Sequence, residues 1–215
     1  MAARRARGQR AGLTRQAVLE AALRLVDREG MAALSMRRLG DELGVEAMTV
    51  YHHVPNKSAL LDGMIEQVVA EAVPPEFGAA TWREDLGAYA HALIAALGAH
   101  PNAVPLLLSR AAMTPRNLGT MEAVVGMLHE AGFRLPRTLD ILYSLTSFVV
   151  GHAAAQAGDV DGAGSFASLD AEAYPLLVGA AREAGEDTAD ARFDFALDAL
   201  LSGFEGELGD ARASS

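Results

Sequence analysis

Thr49, Tyr51, His52 and His53 fall within five residues, and Lys57, the only lysine in the chain, follows four positions later. Thr, Tyr and His can hydrogen-bond the edges of bases, and the neighbouring Ala47 and Met48 can touch a thymine methyl. Lys57 sits just inside a predicted helix N-terminus, where the macrodipole disfavours a cation. An anion at that place, a DNA phosphate above all, would take both the free backbone N–H groups and the ammonium. A solvated surface lysine is the other reading that position allows. Arg37 and Arg38, at the start of a second predicted helix, have the same capacity for phosphate contacts. The arginines at 4, 5, 7, 10 and 15, with no acid before Glu20, read as an arm that follows phosphates or enters a minor groove, or simply as a soluble tail.

These side chains need short, well-packed helices beneath them, and the periodicity supplies such helices. From Thr14 to Gly30 the apolar positions Val18, Leu19, Ala22, Leu23, Leu25 and Val26 recur at helical spacing, between a plausible N-cap and a plausible C′ glycine. Met36 to Leu43 predicts a two-turn helix capped by Ser35 and ended by Gly44. Glu46 to His53 predicts a third, which Pro55 stops. Two short helices joined by a tight glycine turn make a helix-turn-helix. Leu39, Leu43, Val45 and Val50 are the expected inward residues, because a two-turn helix holds its shape only through packing. Asn56 caps a fourth helix, which Pro74-Pro75 ends. Longer helices are expected near 81–99, 115–131, 136–156, 170–184 and 188–208, with a short one near 101–108. Asn102, Gly132, Pro136 and the glycine-rich stretch Gly158 to Ser168 supply the breaks. No alternating strand pattern appears, so the fold class is all-α. The division is a flexible basic arm (1–13), a helix-turn-helix domain (14–60, its linking helix continuing to about 73), a larger helical domain (61–208) and a flexible tail (209–215).

A net charge of −10 over 215 residues argues at first against a nucleic-acid partner. The distribution reverses that: residues 1–60 sum to +4 and residues 61–215 to −14, the asymmetry of a cationic module on an acidic body. Cysteine is absent, which excludes disulfides and thiolate chemistry and fits a reducing cytoplasm. No apolar run approaches the roughly 18 residues that a membrane span requires, and no signal peptide is visible. The histidines show no metal-ligand spacing; His52 and His53 stand about 100° apart on a helix and do not share an ion easily.

The stretch LSMRRLGDELGVEAMTVYHHVPNKSALLD, with its T-x-Y-x-H-x-x-N-K-x-x-L-L signature, resembles the DNA-binding domain of the TetR family of bacterial transcriptional regulators. Glu46 and Val54 bring it nearest the tetracycline-repressor subgroup. A weaker likeness continues through SALLDGMIEQV, MEAVVGMLHEAGF and the long helix after Pro136. The resemblance implies that Arg37 and Thr49 contact DNA, that Ala47, Met48, Tyr51 and His52 lie at the groove face, and that Tyr51, His53 and Lys57 reach phosphates. Ala47, Met48 and His52 stand where the tetracycline repressors have Gln, Pro and Trp, so a different base preference is expected.

The same resemblance implies a homodimer through helices 136–156 and 188–208, and a small-molecule effector held in the core. Phe148, Phe193, Phe195 and Phe204 on those helices serve either the dimer or the subunit's own core. Candidate pocket residues are the aromatic Trp82, Tyr89, Tyr143 and Phe148, the apolar Leu108, Met113 and Met121, and the polar His100, Ser147 and His152. His152 can anchor a ligand or bond a neighbouring carbonyl within the core. The positions that hold magnesium–tetracycline in the subgroup fall at Leu106 to Leu108 and near Ala155. Leucine and alanine offer no hard oxygen, so neither that complex nor any other cofactor is expected.

The function expected is a ligand-responsive, sequence-specific regulator that binds a near-palindromic double-stranded operator. Repression relieved by a small, largely apolar effector is the favoured form, and activation by the same parts is the alternative. An enzyme is not expected: there is no G-x-S-x-G, phosphate-binding glycine loop, zinc motif or cysteine. The acid pairs Glu84-Asp85 and Glu186-Asp187 sit at helix starts, where the dipole favours them. A helical interaction module that ignores DNA is the remaining reading, and it leaves the cationic first 60 residues unexplained.

Overall fold

In a computed structural model the chain is described at residues 13–72, 77, 81–110, 113–158, 166, 168–183 and 189–213. Ten α-helices and no strand occur among the described residues. Helix α1 (Arg15–Glu29) begins where Thr14 Oγ1 accepts from the amide of Ala17 at 3.1 Å, and it ends at Gly30, whose φ of +79° suits a residue without Cβ. One turn of 3₁₀ helix (Met31–Ala33) leads to α2 (Met36–Leu43), capped by Ser35 Oγ on the Arg38 amide. Gly44 closes α2 in the left-handed region, and α3 (Ala47–His53) follows with Glu46 at its N-cap position rather than inside it. Asn56 Oδ1 accepts from the Ala59 amide at 2.8 Å to start α4 (Lys57–Ala72).

The turn between α2 and α3 depends on a close approach. A Cβ on Gly40 would stand 2.9 Å from the Val45 carbonyl oxygen and 3.2 Å from the Ala47 nitrogen. With no Cβ there, the Val45 amide reaches the Gly40 carbonyl at 2.9 Å and the two helices lock. Leu39, Val50 and Val54 are buried behind the turn against Leu19, Leu25 and Val26 of α1. Leu43 and Val45, expected inside, are only partly buried and pack at the edge of this core.

The body begins with α5 (Trp82–Ala99), opened by a capping box between Thr81 and Glu84. The chain then turns through 97° into a 3₁₀ turn (Pro101–Ala103) and α6 (Val104–Ser109), where one short helix was expected. Next come α7 (Pro115–Glu130), α8 (Leu135–Ala157), α9 (Pro175–Glu183) and α10 (Ala189–Ala213). Helix α9 starts five residues later than the periodicity predicts, because Pro175 fits a first helical turn and its predecessor avoids the α region. Helix α10 runs through Ala213, so the tail predicted as flexible from 209 is helical that far; Gly209 alone does not stop it. The basic arm before Leu13, Pro74-Pro75, most of the stretch from Gly158 to Ser168, and Glu186-Asp187 lie outside the described residues.

A single apolar core runs from head to body. Leu60, Met64 and Val68 of α4 are fully buried, with α1 on one side and α5 on the other. Helix α8 packs on α5, α6 and α7, and α10 lays Phe193, Leu197 and Leu201 over α5 and α8. Arg83 of α5 meets Asp198 at 2.6 Å, and His91 meets Asp194 at 2.7 Å. Among the described residues no single helix is long and apolar enough to cross a membrane.

Gly40→Ala should destabilise the protein by about 1–3 kcal/mol, because backbone atoms must move, whereas Gly98→Ala, in open space on α5, should be neutral or stabilising by up to about 1 kcal/mol. Thermal melts of the two variants check the pair. The hydrogen bond that His91 donates to Asp194, the one to the Gly87 carbonyl and the Asp194 charge together raise the His91 pKa above its ordinary value, against the opposing effect of burial. The stability this pair supplies should be complete below the free-histidine pKa of about 6.5 and lost as pH rises through the elevated folded value. Asp194→Asn should flatten that part of a stability profile measured by denaturant titration.

Candidate nucleic-acid interface and internal cavity

Helix α3 presents three kinds of face. Val50 is fully buried, and Val54, the C-cap residue, is buried one turn on. Met48, Tyr51 and His52 are related by three- and four-residue steps and lie exposed together. Ala47, Thr49 and His53 are partly buried at the flanks. Met48 is 63% exposed and Tyr51 41%, a large unsupported area for a seven-residue helix that the core holds in place. Of the predicted groove residues, Met48, Tyr51 and His52 are thus brought together on one outward surface, with Ala47 at its flank.

The nearby charges divide into two groups. Arg38 bonds Glu29 at 2.7 Å and lies 3.8 Å from Glu42, and Arg28 bonds Glu42 at 3.0 Å. The Arg38 hydrogen bond, against a desolvation cost and helped by the Arg38 charge and by Arg28, holds the Glu29 carboxyl below its usual pKa. Arg38 is thus committed to a network behind the turn and does not match its sequence reading as a second backbone contact. Arg37 is exposed and makes no ion pair within the described residues. Lys57 donates to the Leu34 carbonyl at 3.1 Å, which ties the start of α4 to the segment entering α2. That contact uses one of the ammonium's three donors and leaves two for an anion.

A cavity of about 480 Å³, open to the surface beside Leu108, Met113 and Tyr143, lies between α4, α5, α6, α7 and α8. Of the predicted effector residues, Leu108, Met113, Met121 and Tyr143 line it, as does Tyr89. The other five are placed elsewhere. Trp82 packs edge-on to Phe133 at 5.2 Å, and Ser147 is exposed on α8. His100 bonds Asp27 of α1 at 2.8 Å and lies 3.4 Å from Glu71 of α4, joining head to body. Phe148 stacks on Phe193 at 5.1 Å, and His152 packs on the same ring at 5.2 Å. The His152 Nε2 is buried with no hydrogen-bond partner, so the carbonyl bond open to it on sequence is not made by that nitrogen. The wall residues that the sequence did not single out include Ile65, Arg110, Asn117, Thr120 and Thr146. Among the described residues no group of three or more His, Asp or Glu side chains is arranged to hold a metal ion.

A helix-turn-helix with an outward polar recognition face, joined to a helical body with an internal cavity, defines the chain as a DNA-binding transcriptional regulator. The family described as bacterial regulatory proteins, tetR family, matches residues 18–64, and the tetracyclin repressor-like C-terminal domain matches residues 74–208. The chain belongs to the TetR family. It is 30% identical to the HTH-type transcriptional repressor DrrR1 of Streptomyces coeruleorubidus, over 99% of this chain and 84% of that protein. It is also 30% identical to the class E tetracycline repressor of Escherichia coli, over 91% and 92% of the two chains. The crystal structure of Streptomyces coelicolor ActR in complex with actinorhodin superposes with a TM-score of 0.77 at 28% identity, covering 93% of this chain and all of that one.

Tyr51→Ala removes an exposed side chain with no described partner and should leave the melting temperature within about 2 °C of the parent. Lys57→Met removes the donor from the buried residue Leu34's carbonyl and should cost about 0.5–1.5 kcal/mol, a drop of several degrees in the same melt.

Proposed function

We propose that this protein is a homodimeric repressor that reads a near-palindromic operator with α3 and is released by a ligand occupying the 480 Å³ cavity. The observation that carries the reading is the exposed Met48–Tyr51–His52 face, flanked by Thr49 and His53, with exposed Arg37 on α2 and Lys57 at the start of α4. A major groove admits one such helix. Tyr51 and His52 have the reach to hydrogen-bond base edges, Met48 and Ala47 suit a thymine methyl, and Arg37 and Lys57 suit phosphates. Two heads would occupy half-sites about 34–36 Å apart.

A second subunit has a surface to use. On α8, Leu135, Leu139 and Tyr143 follow one another at four-residue steps and are 55%, 45% and 62% exposed. The same line continues through the exposed small residues Ser147 and Gly151, which allow close helix approach. Phe195, on the outer side of α10, is 79% exposed. Such an uncharged stripe supports the dimer expected through these two helices. Effector binding would favour a head spacing that no longer fits the operator, a shift of population between two arrangements. A magnesium–tetracycline complex is not the ligand proposed, because the described cavity wall offers neither histidine nor carboxylate to the metal. The cytoplasm is the compartment proposed, and no catalytic role is assigned to any residue.

The test is fluorescence anisotropy with DNA from around the protein's own coding region, over a range of salt. Refolded, ligand-free protein should bind a saturable site that Tyr51→Ala abolishes. Lys57→Met should weaken binding on all sequences and reduce the slope of log affinity against log salt by about 1–2, one phosphate per head. If the ligand-free protein also ignores a randomised DNA pool, the operator-binding reading fails.

A further inference from the structure

Resting on the reading of this cavity as the effector site, we infer that its ligand is an aromatic acid, held through Arg110, with Asp62 as the internal competitor for the same guanidinium. Three observations meet at this residue. Arg110 is the only charged side chain among the described residues lining the cavity; the rest of the wall is aliphatic, thioether and aromatic, with neutral Ser109, Asn117, Thr120 and Thr146. Its Nη2 bonds Ser58 Oγ at 2.8 Å and lies 2.8 Å from Asp62 Oδ1, both on the first turns of α4. Its Nε is buried and has no hydrogen-bond partner among the described residues.

A wall with one cation and no carboxylate selects on charge. A cationic ligand would add a second positive charge beside the guanidinium, whose carboxylate partner Asp62 is already engaged by it. A carboxylate, phenolate or sulfonate would receive charge-assisted hydrogen bonds from the guanidinium edge that Asp62 leaves unused, since Arg carries five donors. Tyr89, Tyr143, Met113 and Met121 suit the faces of an aromatic ring system. Asp62 satisfies Arg110 in the absence of ligand, but both side chains are 27% exposed, so the pair is partly solvated and open to exchange.

The same guanidinium gives occupancy a route to the DNA-binding head. Arg110 follows directly on α6, and Ser58 is the neighbour of Lys57, which holds the segment entering α2. An acid that draws Arg110 toward the cavity loosens the clip on the first turns of α4. Binding of acid and the Arg110–Asp62 contact therefore oppose each other, and removing Asp62 should strengthen acid binding.

The probes are anilinonaphthalene sulfonate and phenylnaphthylamine, which share one ring system and differ by the sulfonate. Each is titrated by fluorescence into the full chain, Arg110→Gln, Arg110→Lys and Asp62→Asn, with thermal melts to confirm folding. The parent should bind the sulfonate at least about tenfold more tightly than the neutral probe, and Arg110→Gln should erase that preference while leaving the neutral probe unchanged. Arg110→Lys should keep part of the preference, and Asp62→Asn should raise sulfonate affinity about threefold or more. Thr146→Trp, which fills the cavity, should weaken both probes. Equal affinity for the two probes, failure of both to bind, or a parallel loss of both in Arg110→Gln overturns the acid assignment. Unchanged or weaker sulfonate binding in Asp62→Asn overturns the competition. Operator binding of ligand-free protein, measured in parallel, decides the regulator reading separately.

Discussion

Helix α4 has to be apolar on two sides at once, and the geometry of both halves of the molecule follows from that. Against α1 it comes so close that a Cβ on Gly63 would stand 2.5 Å from Leu19 Cδ2. On the other side it lies against α5, and Leu60, Met64 and Val68 are fully buried between the two. A helix packed this tightly into both cores cannot shift on one side without disturbing the other, because interiors are close to crystalline density and transmit displacement. The recognition helix inherits its position from this contact: α3 is too short to hold itself and leans on α1, which α4 fixes.

Polar ties repeat the arrangement along α4. Ser58, Asp62 and Glu66 fall at four-residue steps, and each meets an arginine from another element: Arg110 at the first two and Arg15 of α1 at the third. Glu71, a turn and a half further on, faces His100. Burial pushes the Glu66 pKa up, yet hydrogen bonds from Thr114 and Arg15, with the charges of Arg15 and Arg116, outweigh it and keep the carboxyl below its usual range. One charged group thus gathers contacts from α1 and from the segment entering α7. These ties contribute little stability individually where they are exposed. They tie head to body along α4, and in the dimer proposed above the angle so set would decide whether two heads match one DNA site.

Signals that act within a few residues were legible in the sequence. Thr14, Ser35 and Asn56 cap the helices they were read to cap, because a side-chain oxygen and an amide three residues on need no tertiary context. The outward face of α3 was legible for a similar reason: helical spacing and the buried Val50 leave Met48, Tyr51 and His52 only one direction to point. Contacts across long separations were not legible. Lys57 and the Leu34 carbonyl are 23 residues apart, and nothing near Lys57 announces that bond. Phe148 and His152 sit on the right helix for a cavity, but α10 arrives with Phe193 on their side and claims them for its own packing. Arg110 after three leucines reads as an ordinary surface charge until α4 is placed beside it.

The charge asymmetry of the sequence also takes a sharper form in three dimensions. Part of the positive count in the first 60 residues is cancelled on the spot, since Arg28 and Arg38 are bound to Glu29 and Glu42, and Arg15 to Glu66. Among the described residues of the head, Arg37 is exposed without an ion pair, and Lys57 is exposed and holds the Leu34 carbonyl. Those ion pairs subtract from the charge that the described part of the head offers to phosphates, and non-specific affinity scales with the phosphates neutralised. Under the function proposed above, discrimination would rest on the α3 face and on the spacing of two heads. In the dimer proposed above, a small change in the angle set along α4 would take one head out of register with the operator.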